Sequence, residues 1–435
     1  MARVTVIGTG YVGLVTGVCL ATSGHEVLCV DIDEKKIERL RSGTTPIYEP
    51  GLDELLAKAI ADGNISFEVP GKDWADLVRD IVFVAVGTPM APNGAADLTQ
   101  VRTVVATLAE CAHHPFVLVM KSTVPPGTGD HLIERYLRGA EAEIGYVSNP
   151  EFLREGHAVH DWYHTDRIVL GGDPADVAVV RALYDGIDAP ILETDVASAE
   201  TIKYASNAFL STKISFINEI ANLCDCIGAD IDLVAEGIGM DARIGPHFLR
   251  AGIGYGGSCF PKDTRALDFI STLSGYHFQL LKAVIDVNNR QRVLPLLRLK
   301  QAIPDLNGVK VALLGLAFKP DTDDTRESPA LDIVPLLREE GAAVTVYDPV
   351  ASLPSLAPHA GTVWEALDGA SAAILATEWQ EFQDLDWERV GSAMSSPRLI
   401  FDGRNALDRE AVTRAGLTYM AVGRPGAHRG TSETG

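Results

Sequence analysis

Four glycines, at positions 252, 254, 256 and 257, run up to a single cysteine, Cys259, and Pro261, Lys262 and Asp263 follow it. Glycine lets a backbone approach its neighbours closely and take up positive φ. Proline suits the start of a helix, and Pro261 is placed to be its first residue. Cys259 would then stand just before a helix N-terminus. There the dipole and the free N–H groups favour a thiolate, the form of cysteine that attacks carbonyl carbons. The same stretch also fits a glycine-rich loop around a packed cysteine. The other chemistry-bearing residues have to separate the two readings.

A second centre lies near the N-terminus. Residues 4–7 read as a short buried strand running into Gly8-Thr9-Gly10-Tyr11-Val12-Gly13, with a helix to about Ser23 and a second strand over 27–30 that ends at Asp31. Strand, glycines, helix, strand and acid together are the dinucleotide-binding fingerprint. Glycines give the tight turn and let a pyrophosphate settle on the helix N-terminus, while Asp31 would hold the adenosine ribose hydroxyls. A carboxylate there repels a 2′-phosphate, so the cofactor expected is NAD. The strand at 81–86 ends in Gly87-Thr88-Pro89, the strand at 117–120 leads into Lys121-Ser122-Thr123, and the one at 146–148 leads into a loop with Glu151 and Glu155. All three loops fall at the carboxyl edge, where such sheets bind ligands.

From about Ser198 to Cys226 the apolar period is helical, and Lys203 and Asn207, four residues apart, share one face. Such a pair can donate to a developing oxyanion; a lone lysine on a long helix also serves simple solvation. Residues 279–297 form another helix. After Pro304 and Gly308 a second α/β unit begins: a strand at 310–314, a helix at about 328–340 and a strand at 344–347 before Asp348. It repeats the layout of residues 4–31 but keeps only Gly315 of the glycines. A nucleotide held in another way is the ligand expected there. Strands at 372–376 and 398–401 follow, the latter leading into Asp402-Gly403-Arg404-Asn405, and the tail from Gly423 reads as disordered.

Composition bounds these readings. A chain of 435 residues makes two or three domains, and 46% hydrophobic with 22% charged residues is ordinary for a globular protein. A net charge of −22 argues against nucleic acid or an anionic membrane as partner. The six cysteines lack framework spacing, which reads as a reduced, cytoplasmic protein. No basic region precedes the first strand, so no signal peptide is expected, and no apolar run reaches membrane-spanning length. No metal site is expected.

Taken in order, the motifs GTGYVG (8–13), KSTVPPGT (121–128), NPEFLREG (149–156), Lys203 with Asn207, RIGPHFL (243–249), GGSCFPKD (256–263), GLAFKPDTDDTRESP (315–329) and DGRN (402–405) resemble the UDP-glucose/GDP-mannose dehydrogenase family over about residues 1–420. The resemblance implies an α/β fold of two Rossmann-like doubly wound domains joined by a long central helix. Its parts would be an NAD-binding domain at 1–196, a helical linker and dimerisation region carrying the catalytic cysteine at 197–300, and a UDP-sugar-binding domain at 301–422, with 423–435 as tail. The implied assembly is a homodimer or higher oligomer. The implied reaction takes UDP-glucose, two NAD⁺ and water to UDP-glucuronate and two NADH, through a thiohemiacetal and a thioester on Cys259. GDP-mannose or a UDP-N-acetylhexosamine is the alternative substrate.

The resemblance also implies roles. Lys203 and Asn207 would stabilise oxyanions. Thr123 would place a water or the C6 oxygen, and the general base is shared in an open way among Asp263, Glu151 and that water. Gly8, Gly10, Tyr11, Val12, Gly13, Asp31, Lys36, Thr88, Thr123, Glu155, Lys262 and Arg326 would hold NAD. Glu151 and the backbone of Phe152, Leu153 and Arg154 would line the sugar nucleotide. Phe248, Leu249, Gly252, Gly254, Tyr255 and Gly256 would wrap the sugar and diphosphate. Phe318, Lys319 and Arg404 would bind UDP, and Arg243 would reach in from a neighbouring subunit. Two other readings remain. A two-electron hydroxyacid dehydrogenase also pairs a Rossmann domain with a helical lysine and asparagine, but leaves Cys259 without a task. A non-catalytic NAD sensor is the third.

Overall fold

The computed structural model describes residues 1–424. The chain divides into two compact units, Met1–Ser206 and a second from Asn207 onward.

The first unit is built on an eight-stranded sheet: β1 (Arg3–Ile7), β2 (Glu26–Val30), β3 (Ile65–Glu68), β4 (Ile81–Val84), β5 (Phe116–Met120), β6 (Ile144–Ser148), β7 (Ile168–Gly172) and β8 (Ile191–Thr194). Their order is β3-β2-β1-β4-β5-β6-β7-β8. The central strands are runs of Val, Ile and Leu because both faces are covered, as parallel strands between helix layers require. Val6 lies opposite Cys29 on one side and Phe83 on the other. Two apolar clusters, one on each face, complete the layers. The chain reverses between β1 and β4, and that switch point is where such sheets take ligands. β7 runs antiparallel to β6, with Val147 opposite Gly172, and β8 is parallel to β7. The sheet is therefore mixed beyond its sixth strand.

The second unit carries a five-stranded, wholly parallel sheet: β9 (Lys310–Leu314), β10 (Ala343–Tyr347), β11 (Ala372–Leu375), β12 (Leu399–Asp402) and β13 (Thr418–Ala421), in the order β10-β9-β11-β12-β13. It has its own core. Helix Gln279–Ala302 passes through Pro295 and ends five residues later than the sequence pattern gives. Buried Leu296 and Leu299 in its last turns supply the packing that offsets the proline.

The long helix Val196–Ile227 holds the division between units, with Lys203 before it and Asn207 after it. Order persists to Arg424. Gly423 O accepts from Ile231 N at 2.9 Å. The Arg424 guanidinium donates to Asn405 O and to Tyr419 Oη, each at 2.7 Å. The start of the expected tail is thus fixed by hydrogen bonds, and the rest of it lies outside the described residues. No helix among the described residues is long and apolar enough to cross a membrane.

Candidate active site

In the first unit the glycine turn is dictated by contact. Gly8 has φ +98°, and a Cβ there would sit 2.6 Å from Ala85 O. A Cβ on Gly13 would lie 1.9 Å from Gly8 O, so helix Tyr11–Thr22 can press against its own turn only without a side chain. Nothing lies within 4 Å of a Cβ built on Gly10, the N-cap residue. That open space in front of unfilled helix N–H groups suits a pyrophosphate. Asp31, at the end of β2, accepts from Thr9 N at 2.8 Å, Thr9 Oγ1 at 2.7 Å and, on its other oxygen, Asp33 N at 3.0 Å. Burial works against its charge, but the Thr9 and Asp33 bonds and Lys36, 3.9 Å away, outweigh it and hold the carboxyl below its ordinary value. The residues fit NAD: a cradle without side chains and an ionised acceptor for ribose hydroxyls. Tyr11 Oη donates to Tyr48 O at 2.9 Å, which ties the helix start to the loop before the next helix. Val12 is half-buried. Thr88 Oγ1 donates to Thr123 O at 2.9 Å and links two of the edge loops.

At the same edge stands a buried ion pair. Lys203 Nζ lies 2.9 Å from Glu151 Oε1, with both side chains nearly closed to solvent. Glu151 Oε2 accepts from Leu153 N at 2.6 Å, and Lys203 Nζ lies 5.4 Å from the centre of the Phe152 ring. The two glutamates of this loop differ: Glu151 is 5% exposed, while Glu155 is only half-buried. The expectation that the Phe152–Leu153–Arg154 backbone lines a ligand needs correction at two amides. Leu153 N is used by Glu151, and Arg154 N by Asp161 Oδ2 at 2.9 Å. The Arg154 guanidinium also grips Asp161 with two bonds. Thr123 is half-buried at the mouth of its loop.

One turn before Lys203, Glu200 was not foreseen from sequence. Its carboxylate accepts from Gly127 N and Gly129 N, each at 2.7 Å, and so clamps the loop that carries Thr123. Burial pushes its carboxyl up to about 7. Lys121, with Asn149 and Tyr184, was also missed as a buried cluster. A charged residue on an otherwise apolar strand edge was the available signal for it.

In the second unit, Cys259 is the N-cap of helix Phe260–Leu273, and Pro261 is its second residue, not its first. Cys259 is half-buried and Ser258 Oγ lies 3.5 Å from its Sγ. Asp263 is 1% exposed; its Oδ2 accepts from Asn207 Nδ2 at 2.6 Å, and its Oδ1 pairs with Lys262 Nζ. The lysine expected at the cofactor thus spends its charge on Asp263.

The glycines of 252–257 also have a packing task. A Cβ on Gly252 would meet Gly403 O at 2.8 Å, on Gly254 Asn288 Oδ1 at 2.7 Å, on Gly256 Glu327 O at 2.3 Å, and on Gly257 the Phe318 ring at 2.7 Å. The space beside each is taken by the protein itself, so the missing side chains let the loop pack closely and lock it in place. Arg404 completes the lock. Its guanidinium donates to Ala376 O, Gly254 O and Phe318 O, at 2.6, 3.0 and 3.1 Å, leaving two of its five N–H groups for a ligand. Tyr255 is held at N by Asn288 Oδ1 and at O by Asn288 Nδ2 and Arg292. The Leu249 side chain is buried in the core. Phe248 has φ +64° and remains 39% exposed, edge-on to Phe260. Lys319 Nζ sits 5.6 Å from the Phe318 ring centre. Arg326 forks onto Asp324 and Arg243 onto Asp241, both with outward guanidinium groups.

The second sheet does not repeat the NAD cradle. Asp348, the counterpart of Asp31 in layout, accepts from Leu316 N, Ala317 N and Trp379 Nε1 on one oxygen and from Val350 N and Ala351 N on the other. Five donors leave no acceptor for a ribose.

Comparison with known proteins agrees with this division. Models of the UDP-glucose/GDP-mannose dehydrogenase family match residues 2–188 (NAD binding domain), 197–290 (central domain) and 312–409 (UDP binding domain). The chain is 45% identical to UDP-glucose 6-dehydrogenase TuaD of Bacillus subtilis, covering 99% of this chain and 95% of that one. It is 46% identical to a UDP-glucose 6-dehydrogenase of Rhizobium meliloti, over 97% and 100% of the two chains. Among solved structures, a UDP-glucose dehydrogenase from Pyrobaculum islandicum superposes with a TM-score of 0.89 at 38% identity, covering 97% of each chain.

Proposed function

This chain belongs to the UDP-glucose/GDP-mannose dehydrogenase family, and from that premise we propose that it oxidises UDP-glucose to UDP-glucuronate in two NAD-dependent steps on one enzyme. The NAD half rests on the Gly8–Asp31 cradle. The carrying observation for the two-step chemistry is Cys259 at the N-cap of a helix, with the buried Asp263 one turn further on. A two-electron dehydrogenase has no use for that thiol, and a mere NAD sensor has none for a buried Asn–Asp–Lys cluster beside it. NAD⁺, which the Gly8–Gly13 turn and Asp31 would hold, would supply the hydride acceptor for both oxidations.

The chain's own residues do the rest. The Cys259 thiolate attacks the C6 aldehyde to give a thiohemiacetal, keeping the aldehyde attached. Loss of hydride from that adduct leaves a thioester, and water cleaves it to the carboxylate and the free thiol. Asn207 and Lys203 donate to the oxyanions. Glu151, aimed by the Leu153 amide, and Asp263, aimed by Asn207, are the two carboxylates we assign to taking a proton from water. UDP-glucose as the substrate, over other nucleotide sugars, is supported by the relatives of that name, which align over nearly the full length at 45% and 46% identity. A UDP-N-acetylmannosamine dehydrogenase structure matches the fold at only 27%.

One experiment tests this reading: UDP-glucose, UDP-galactose, GDP-mannose and UDP-N-acetylglucosamine are offered in turn, and NADH is counted per sugar consumed. Two NADH on UDP-glucose alone is the result expected; one NADH per sugar, or none on UDP-glucose, removes it.

The assembly is proposed to be a homodimer. Phe209, Phe216 and Leu223 recur at seven-residue spacing on one helix face and stay 65%, 52% and 52% exposed. Such an apolar stripe seeks a second copy. Phe216→Asp should elute as a monomer in size-exclusion chromatography, and an unchanged elution volume would dismiss this interface.

A further inference from the structure

Beside the Glu151–Lys203 pair lies a second buried lysine that the proposed chemistry does not use. Lys121 follows β5 and is 5% exposed. Its Nζ donates to Asn149 Oδ1 at 3.0 Å and to Tyr184 Oη at 3.3 Å. Asn149 is itself fixed: its Oδ1 also accepts from Tyr184 Oη and its Nδ2 donates to Val169 O at 2.9 Å. The rings of Trp162 and Tyr184 each have their centres 5.8 Å from Nζ. Lys121 shares with Glu151, Phe152 and Tyr184 the wall of a small cavity with room for about two water molecules.

A methionine or glutamine could fill this place without an ammonium. Burying one costs free energy unless a counter-charge answers it. Among the described residues no carboxylate lies within 4 Å of Lys121, so no direct ion pair answers it. The charged groups that face it are Glu151 from the loop after β6, Lys203 from the long helix, and Asp161 and Arg167, which line the cavity. Asp161 is already gripped by Arg154. Glu151 is therefore the anion left to meet Lys121. Burial pulls the Lys121 ammonium down to about 8; Glu151 counters that fall and Lys203 adds to it. At neutral pH most molecules still carry the proton, so two cations stand around one carboxylate.

We propose that Lys121 is a positioning residue for the reaction: its ammonium, held on Asn149 and Tyr184, is a second cation on the cavity wall it shares with Glu151, and it holds that carboxylate in place. The inference rests on the assignment of Glu151 to the chemistry made above. The Asn149 anchor has a further consequence. Asn149 is two residues before Glu151, so one lysine fixes both the charge and the start of the loop.

The test is the pH profile of kcat/KM with whichever nucleotide sugar the wild type turns over. Lys121→Met should move the acid limb up by about one pH unit, the order expected for loss of one nearby opposite charge. Lys121→Gln, whose amide still reaches Asn149 and Tyr184, should move it equally and serves if the methionine does not pack. Lys121→Arg, which keeps the cation, should return the limb to its wild-type place. Tyr184→Phe removes a hydrogen bond but no charge, and should lower kcat without moving the limb. A limb unmoved in both neutral variants overturns the proposal, as does a limb displaced as far in Lys121→Arg. Neither result depends on NADH stoichiometry, so failure of the four-electron reading registers separately, in the wild-type count of NADH per sugar.

Discussion

Asn207 Nδ2 donates to Asp263 Oδ2 at 2.6 Å, and both side chains are shut off from solvent, at 6% and 1% exposure. Asp263 comes from the first turn of the helix that Cys259 caps, and Asn207 from the long helix. A carboxylate between an amide and the Lys262 ammonium is held in one orientation. It also fixes which way the Asn207 amide faces, so that the remaining N–H is aimed.

Asp263→Asn removes that charge and sets one amide against another. The turnover number should fall by about two orders of magnitude. The KM for the nucleotide sugar should stay within a few-fold, since the carboxylate is too buried to be a binding group. Steady-state kinetics on the purified variant check this; a wild-type kcat takes Asp263 out of the mechanism.

Cys259→Ala tests the covalent step itself. The first hydride transfer needs no thiol, whereas the second needs a tetrahedral adduct on it. The variant should form no more than about one NADH per sugar, with glucuronate production down by about a thousandfold or more. Mass spectrometry of the nucleotide sugar pool should show the C6 aldehyde or its hydrate. Normal glucuronate output from this variant would end the thioester proposal.

The sequence carried most of the first sheet and the site's residue types, because strand-turn-helix signals and charged residues in apolar settings are local. Gly8, Gly13 and Asp31 lie where the fingerprint puts them, for the contacts it implies. The antiparallel β7 was not legible: its reversal depends on which strand edge remains open after β6 forms, a tertiary fact. Nor was the Lys203–Glu151 pair, whose members are 52 residues apart. The protein partners of the glycines at 252–257 were not legible either. Glycine signals only that something comes close. Here it is Gly403, Asn288, Glu327 and Phe318, residues that sequence alone cannot bring to the loop. Glu200 was invisible because an acid inside a helical pattern looks like a solvated one.

Glu200 makes a pH prediction. Its ordinary carboxyl value of 4.5 is raised to about 7 in the fold, so the native state holds the proton more tightly than the unfolded chain does. Stability is then highest below about 4.5 and falls as pH rises through about 7, by about 3 kcal/mol for this group alone. In Glu200→Gln that decline should vanish. The variant should start lower at pH 5, because its amide nitrogen faces one of the two backbone N–H groups. Thermal unfolding midpoints between pH 5 and 8 give the two slopes; parallel slopes would refute the role of this ionisation.

Gly256→Ala probes the lock that sets Cys259. The added Cβ would lie 2.3 Å from Glu327 O, 3.0 Å from its carbonyl carbon and 3.2 Å from Ser328 Cα. All three are backbone atoms with little room to move. Glu327 sits at φ +53°, its carbonyl is held by Arg292 at 3.0 Å, and the next amide, Gly257 N, is bonded to Arg326 O at 2.9 Å. The loop must therefore shift, at a cost of about 1–3 kcal/mol, and it carries Cys259 three residues further on. Activity should drop by more than about tenfold, as a misplacement near 1 Å does in a preorganised site. Gly237→Ala is the control: nothing lies within 4 Å of its Cβ and it sits in helix Ile231–Gly239, so it should be neutral or slightly stabilising. If Gly256→Ala keeps both its unfolding midpoint and its kcat, the loop is not held by these contacts.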